Sequence, residues 1–288
     1  MRRPNAILKD SEEIVTVEDL TSVFESLAMN QIAKIKTKVE MSKDFFNLLW
    51  AKYSALRVDP ESRITHRESK ESSKDVYVVI SAEAGLSGDI DLRLIETVLK
   101  DYDPKTTDII VLGSHGAQQL RQRGVNFVRY YRVPESDSYI DVSPVIEAIK
   151  PYRNAKVYYE EYVSIGVQGI KSIDLIQTIK SMSESAEDQN SVISEHDTIF
   201  EPSLDEIAGI METAMMSLAF AQVILESSLA QDASRFNAMA VAKKRASELV
   251  SLYTMEYHRA KRSQSDRQMR EVMTSLKRKR RAHYNNYV

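Results

Sequence analysis

The chain has 288 residues, enough to bury a sizeable core, and its 43% hydrophobic and 28% charged residues exclude a disordered polymer. It contains no cysteine, which excludes disulfides, thiolate metal sites and a cysteine nucleophile and fits a reducing compartment. The net charge of -3 at pH 7 conceals a strongly basic C-terminal stretch.

The first residues, "MRRPNAILKDSEEIV", hold two arginines but lack the apolar run of a secretory signal. No window comes near the roughly 18 apolar residues of a membrane span, so a cytosolic or membrane-peripheral chain is expected. All eight glycines lie between Gly85 and Gly209, and of the seven prolines only Pro4 falls outside Pro60 to Pro202. Breakers punctuate local structure. The chain therefore divides into two breaker-free flanks and a breaker-rich centre.

In chain order, residues 1–58 form a helix whose apolar positions, from Val17 and Leu20 to Ile35 and Val39, recur at three- and four-residue steps. Asp59-Pro60 stops it and opens a linker over 59–74. The centre, 75–180, alternates buried strands with helices. The strands are "DVYVVISAEAG", "TDIIVLGSHG", "VNFVRYYRV" and "AKVYYEEYVS", and the intervening helices include "DIDLRLIETVLKDY" and "AQQLRQRG". That alternation predicts an α/β layer with a largely parallel sheet. Residues 181–200 read as an acidic polar loop. A second helix spans 201–282, with Asp205 and Glu206 in its first turn, where the helix dipole favours negative charge, and 283–288 form a tail. Unbroken from about 203 to 280, such a helix is roughly 110–120 Å long at about 1.5 Å per residue and needs a partner to persist, which the first flank supplies as a coiled coil.

Catalytic signatures are fragmentary. Ser87 in "GLSGD" follows a strand, but the G-x-S-x-G elbow is missing; His115 in "GSHG" stands alone on a turn. No phosphate-cradling glycine loop occurs, and His196, His258 and His283 have no partners at metal-ligand spacing. No catalytic, cofactor or metal site is expected on this chain. From Arg235 onward fourteen basic residues face four acidic ones, a local balance of +10. This basic helix suits an acidic protein surface or a nucleic acid equally well on composition.

Particular residues go further. Leu20–Ala28, the turn Ser81–Asp91, the segment Asp108–Gly124, "FEPSLDEI" from Phe200, and the pattern Ala233–Met239 with Ala246, Leu252 and Glu256–Arg262 follow one another collinearly. In these positions the chain resembles the gamma subunits of F-type ATP synthases. It departs from them at Phe24-Glu25, where the family has Met-Lys, at Ala230-Gln231-Asp232 in place of Ser-Glu-His, and in the basic run after Lys277.

The resemblance implies an antiparallel coiled coil of the terminal helices flanking a central Rossmann-like α/β domain. It implies a central-stalk rotor that couples ion-driven rotation of a c-ring to conformational changes of an alpha/beta catalytic hexamer. The implied partners are alpha, beta, epsilon and the c-ring, at the cytoplasmic face of the membrane, with neither nucleotide nor nucleic acid bound. Phe24, Glu25, Arg235, Lys243, Lys244, Arg245, Arg259, Lys261 and Arg262 are then expected to face the hexamer, and Ala238, Ala240, Ala242 and Ala246 to keep the shaft slim. A basic coiled-coil protein that binds nucleic acid, and a gamma-like rotor in a specialised motor, are the competing expectations.

Overall fold

The computed structural model describes residues 3–55, 74–133, 141–174 and 204–285. The linker expected at 59–74, apart from Lys74, and the acidic loop at 181–200 lie outside them. Helix α1 runs from Pro4 to Ala55. The centre holds β1 (Asp75–Ile80), α2 (Ile90–Asp101), β2 (Thr107–Leu112), α3 (Ser114–Gln122), β3 (Arg129–Tyr131), α4 (Ser143–Ile149), β4 (Ala155–Tyr162) and β5 (Gln168–Asp174). Helix α5 runs from Leu204 to Asn285 without interruption.

The sheet order is β3-β2-β1-β4-β5. The first four strands are parallel, and β5 is an antiparallel edge paired to β4. The β-strand period of two divides the apolar residues between two faces. Val76, Val78, Ile80, Ile110, Leu112 and Val157 face α4 and the Phe220–Ile224 turn of α5. Val79, Ile109, Val111 and Tyr158 face α2 and α3 through Leu94, Ile95, Val98 and Leu120. The expected third strand contracts to three residues, because Val125 and Phe127 leave the ladder to pack on the α2–α3 face.

The described chain separates into two compact units, and α1 and α5 contribute to both. In the unit of residues 26–238, Ile32 and Ile35 of α1 share a buried cluster with Leu225, Leu229 and Ala233 of α5. Tyr53 near the end of α1 donates to Glu212 near the start of α5, so the pair is antiparallel. In the unit of residues 1–25 and 239–288, Glu25 meets Lys243, and Ile7 lines a groove with Leu249, Tyr253 and Ala260. That pairing is antiparallel too.

One expectation needs correction. Helix α5 does contain, within Gly209–Lys279, an 18-residue window of mean hydropathy 1.3, apolar and long enough to cross a membrane. Its physical origin is burial on several sides: Phe220, Val223 and Ile224 face the sheet while Leu225, Leu229 and Ala233 face α1. A helix in that position is apolar nearly all round. Of the four alanines expected to keep the shaft slim, Ala238, Ala240 and Ala242 are half-buried and Ala246 is buried. Ala246 and Ala260 are buried, whereas Val241, Leu249, Leu252 and Met255 stand exposed on the same helix. Ala260 lines a groove with Ile7 of α1, where a small side chain admits the neighbouring helix.

Candidate functional site

A doubly wound sheet holds its ligands outside the carboxyl ends of the strands, where the chain's winding reverses. Here the winding runs from β1 outward to β2 and β3 and then returns to β4 on the other side of β1, so the crevice lies beyond β1 and β4. Val79 pairs with Tyr158 in that parallel register, which brings Glu160 to the level of Ser81.

The crevice is filled by the chain itself. Asp91 at the start of α2 is fully buried; its Oδ1 accepts from Ala82 N–H at 2.9 Å and its Oδ2 from the Ser87 hydroxyl at 2.7 Å. His115 Nδ1 lies 3.0 Å from the same Oδ2. Glu160 Oε2 accepts from Ser227 Oγ at 3.0 Å and from Gln231 Nε2 at 2.6 Å, both on α5. Burial holds the Glu160 carboxyl well above the usual carboxylate range, and the nearby charge of Asp91 raises it further. Ser234 Oγ donates to Ser87 O at 2.6 Å, and the Arg235 guanidinium donates to Gly85 O at 3.4 Å and Ala84 O at 3.3 Å. Arg235 is also ion-paired to Asp232. Burial pushes the Asp232 carboxyl up, against the opposing pull of Arg235.

Sequence reasoning singled out Ser87 and His115 separately. The structure brings them together, but on one carboxylate oxygen rather than in a relay. A Ser-His-Asp machine needs the hydroxyl on the imidazole and the imidazole on the carboxylate. Here the Ser87 hydroxyl is buried and donates to Asp91 directly, which leaves the imidazole no proton to take from it. The "GSHG" glycines have a packing reason. A Cβ at Gly113, whose φ is +99°, would lie 2.1 Å from Ser81 O, and one at Gly116 would lie 2.4 Å from Ser81 Oγ. Among the described residues no group of His, Asp and Glu has the arrangement to hold a metal ion.

The other predicted residues, in the unit formed by residues 1–25 and 239–288, fall into two sets. Glu25 and Lys243 form an interhelical ion pair at 3.0 Å, with side chains 23% and 41% exposed. Lys244, Arg245, Arg259, Lys261 and Arg262 are exposed on α5, and Phe24 is exposed on α1. Lys261 Nζ lies 5.5 Å from the Tyr257 ring centroid, and Arg259 borders the groove lined by Ile7, Leu249 and Leu252. Arg235 belongs to the 26–238 unit, where it holds the Ala84–Gly85 turn. Sequence reasoning missed the exposed apolar members of α5. Leu252 and Met255 are more than half exposed, and Met269, Val272, Met273 and Leu276 recur at helical spacing farther along. That spacing was visible in the sequence and was masked by the surrounding charge.

The family model described as ATP synthase matches residues 9–277. The chain belongs to the ATP synthase family. Curated relatives that it matches include gamma chains of ATP synthases. The Clostridium kluyveri gamma chain is 19% identical over 272 residues, covering 91% of this chain and 93% of the relative. The Exiguobacterium sibiricum gamma chain is 26% identical over 219 residues, with 72% and 74% covered. Among solved structures, a chain of the Euglena gracilis mitochondrial ATP synthase in rotational state 3 has a TM-score of 0.64 at 14% identity, with 94% of each chain covered. The rotor of the same enzyme in rotational state 1 gives a TM-score of 0.59 at 15% identity, covering 90% of this chain and 98% of that one. The expected fold, terminal helices paired antiparallel around a mostly parallel α/β sheet, is that of this family.

Proposed function

We propose that the chain is the central-stalk rotor subunit of an F-type ATP synthase, non-catalytic itself, coupling rotation of a membrane ion-driven ring to the catalytic states of an alpha/beta hexamer. The family match over residues 9–277 carries this reading. The geometry supports it: the crevice where this class of sheet binds ligands is occupied by α5, and the basic end of α5 presents Lys244, Arg245, Arg259, Lys261 and Arg262 to a partner. These five, with Phe24, meet the hexamer directly; Glu25 and Lys243 contribute through the pair they form, and Arg235 through the turn it holds. The rotor changes the populations of its neighbours' states by differential contacts and makes no bond itself. Epsilon and the c-ring are its remaining partners, at the cytoplasmic face of the cell membrane.

Co-expression with the alpha and beta subunits of the same organism, with a tag on beta, tests this. A purified complex with a single copy of this chain per beta trimer, whose ATP turnover depends on the chain and survives Ser87→Ala and His115→Ala, is the expected result. Beta purified without this chain overturns the reading.

A further inference from the structure

The crevice filled by α5 has a mechanical consequence, which rests on the rotor reading. A rotor must pass torque between its shaft and the body attached to it. Apolar packing resists separation of a helix from a sheet, and its interdigitated side chains also oppose turning and sliding. Hydrogen bonds to groups fixed in the sheet layer, side-chain or backbone, add a directional restraint on both motions. In the unit of residues 26–238, α5 makes such bonds to two different elements. Ser227 and Gln231 hold Glu160 on β4, and Ser234 and Arg235 hold the carbonyls of Ser87, Gly85 and Ala84 in the turn between β1 and α2. Ser227, Gln231 and Ser234 are buried, so water cannot replace them readily. The turn is itself anchored, through Ser87 Oγ and Ala82 N–H, on Asp91. Leu86 within it is the single non-glycine residue of positive φ among the described residues, at 69°, a conformation that the surrounding bonds must impose.

We propose that these contacts are the torque joint between α5 and the α/β layer, with Ser234 and Arg235 as its positioning residues. The joint fixes the rotation and register of α5 against the sheet and stays closed throughout the catalytic cycle.

The chain lacks cysteine, so an engineered pair would hold its only thiols. A Cβ at Gly88 would lie 3.7 Å from Ala238 Cβ, close to the usual disulfide separation of about 3.8 Å. Because Gly88 has φ +73°, its replacement by Cys costs backbone strain of about 1–2 kcal/mol, so the reduced Gly88→Cys/Ala238→Cys complex, assembled and pumping, is the reference for every oxidation. The assembled, membrane-bound complex in inverted vesicles is the material, and the ATP-driven membrane potential per ATP hydrolysed is the readout.

With Ser234→Ala/Arg235→Met, hydrolysis is expected to persist while the potential per ATP falls several-fold. Adding Gly88→Cys/Ala238→Cys and oxidising restores the potential; reduction abolishes it again. In the otherwise unaltered chain, oxidising the pair leaves the potential per ATP unchanged. A full potential from the reduced Ser234→Ala/Arg235→Met complex overturns the proposal, as does loss of pumping on oxidation of the otherwise unaltered chain, because the joint would then have to open in each cycle. The second arm decides the matter even where the first variant folds poorly. Failure of the rotor reading looks different: the unaltered complex would pump and hydrolyse without this chain.

Discussion

Glu160 is a carboxyl group kept out of water by its own fold, and its consequence is a pH dependence of definite sign. Its folded-state value lies well above the ordinary 4.5, with burial the larger cause and Asp91 the second. The folded state therefore binds a proton that the unfolded state has released. Stability is full below the ordinary value and falls as pH rises toward the folded one, by about 1.4 kcal/mol for each pH unit of that window. Glu160→Gln keeps the acceptor for Ser227 and Gln231 but cannot ionise. The melting temperature of the variant relative to the natural chain should be higher at pH 8 than at pH 5; an equal difference at both would show that Glu160 is not held protonated. Glycine makes a second case at this scale. Gly116→Ala drives a methyl into Ser81 and should cost about 1–3 kcal/mol by overpacking, with Gly113→Ala worse because positive φ adds strain. Gly124→Ala, with φ +71° and nothing within 4 Å, should cost only the backbone strain of about 1–2 kcal/mol. Denaturant midpoints of the three variants test the ranking. "GSHG" looked like loop chemistry in the sequence, since the residue these glycines accommodate, Ser81, lies far away in sequence, just past the end of β1.

At the level of elements, the long helices were legible because breakers are excluded over residues 5–55 and 210–285 and the apolar steps repeat at helical spacing. The strands β1, β2 and β4 were legible as dense runs of Val, Ile and Tyr. Strand β5 was not. Its sequence, "QGIKSID", carries a glycine, a lysine and an aspartate, and it becomes a strand only because β4 offers an antiparallel partner from Lys156 to Tyr162. The α1–α5 pairing could be expected, but its register could not, since that depends on contacts such as Glu25 with Lys243, residues far apart in sequence. This pair is testable by charge exchange. It is partly solvated, so its coupling energy should be only about 0.5–1 kcal/mol. Lys243→Glu alone sets two acids against each other and should lower the melting temperature, and adding Glu25→Lys should recover most of the loss. Failure of the double variant to recover would mean that the pair is not formed.

For the molecule as a whole, the net charge of -3 coexists with a balance of +10 from Arg235 onward. Charges so segregated act at a distance as well as on contact. A cluster of exposed cations attracts an acidic partner and raises the association rate by about 10- to 1,000-fold at low salt, an effect that ionic strength removes as the Debye length falls toward about 3 Å at 1 M. Lys244, Arg245, Arg259, Lys261 and Arg262 are exposed, so neutralising them to Gln should leave the melting temperature within the range of ordinary surface substitutions, about 0.5 kcal/mol. Association with the alpha/beta hexamer, followed by stopped flow, should slow at least about tenfold at low salt, and the gap should close as salt is added. The exposed Leu252, Met255 and Met269 on the same helix are untouched by the substitution, and burial of apolar surface is insensitive to screening. A deficit that persists at high salt would assign the five cations to direct contacts in the bound complex. Unaltered association at low salt would show that the apolar surface alone recruits the partner and that the basic face serves something else.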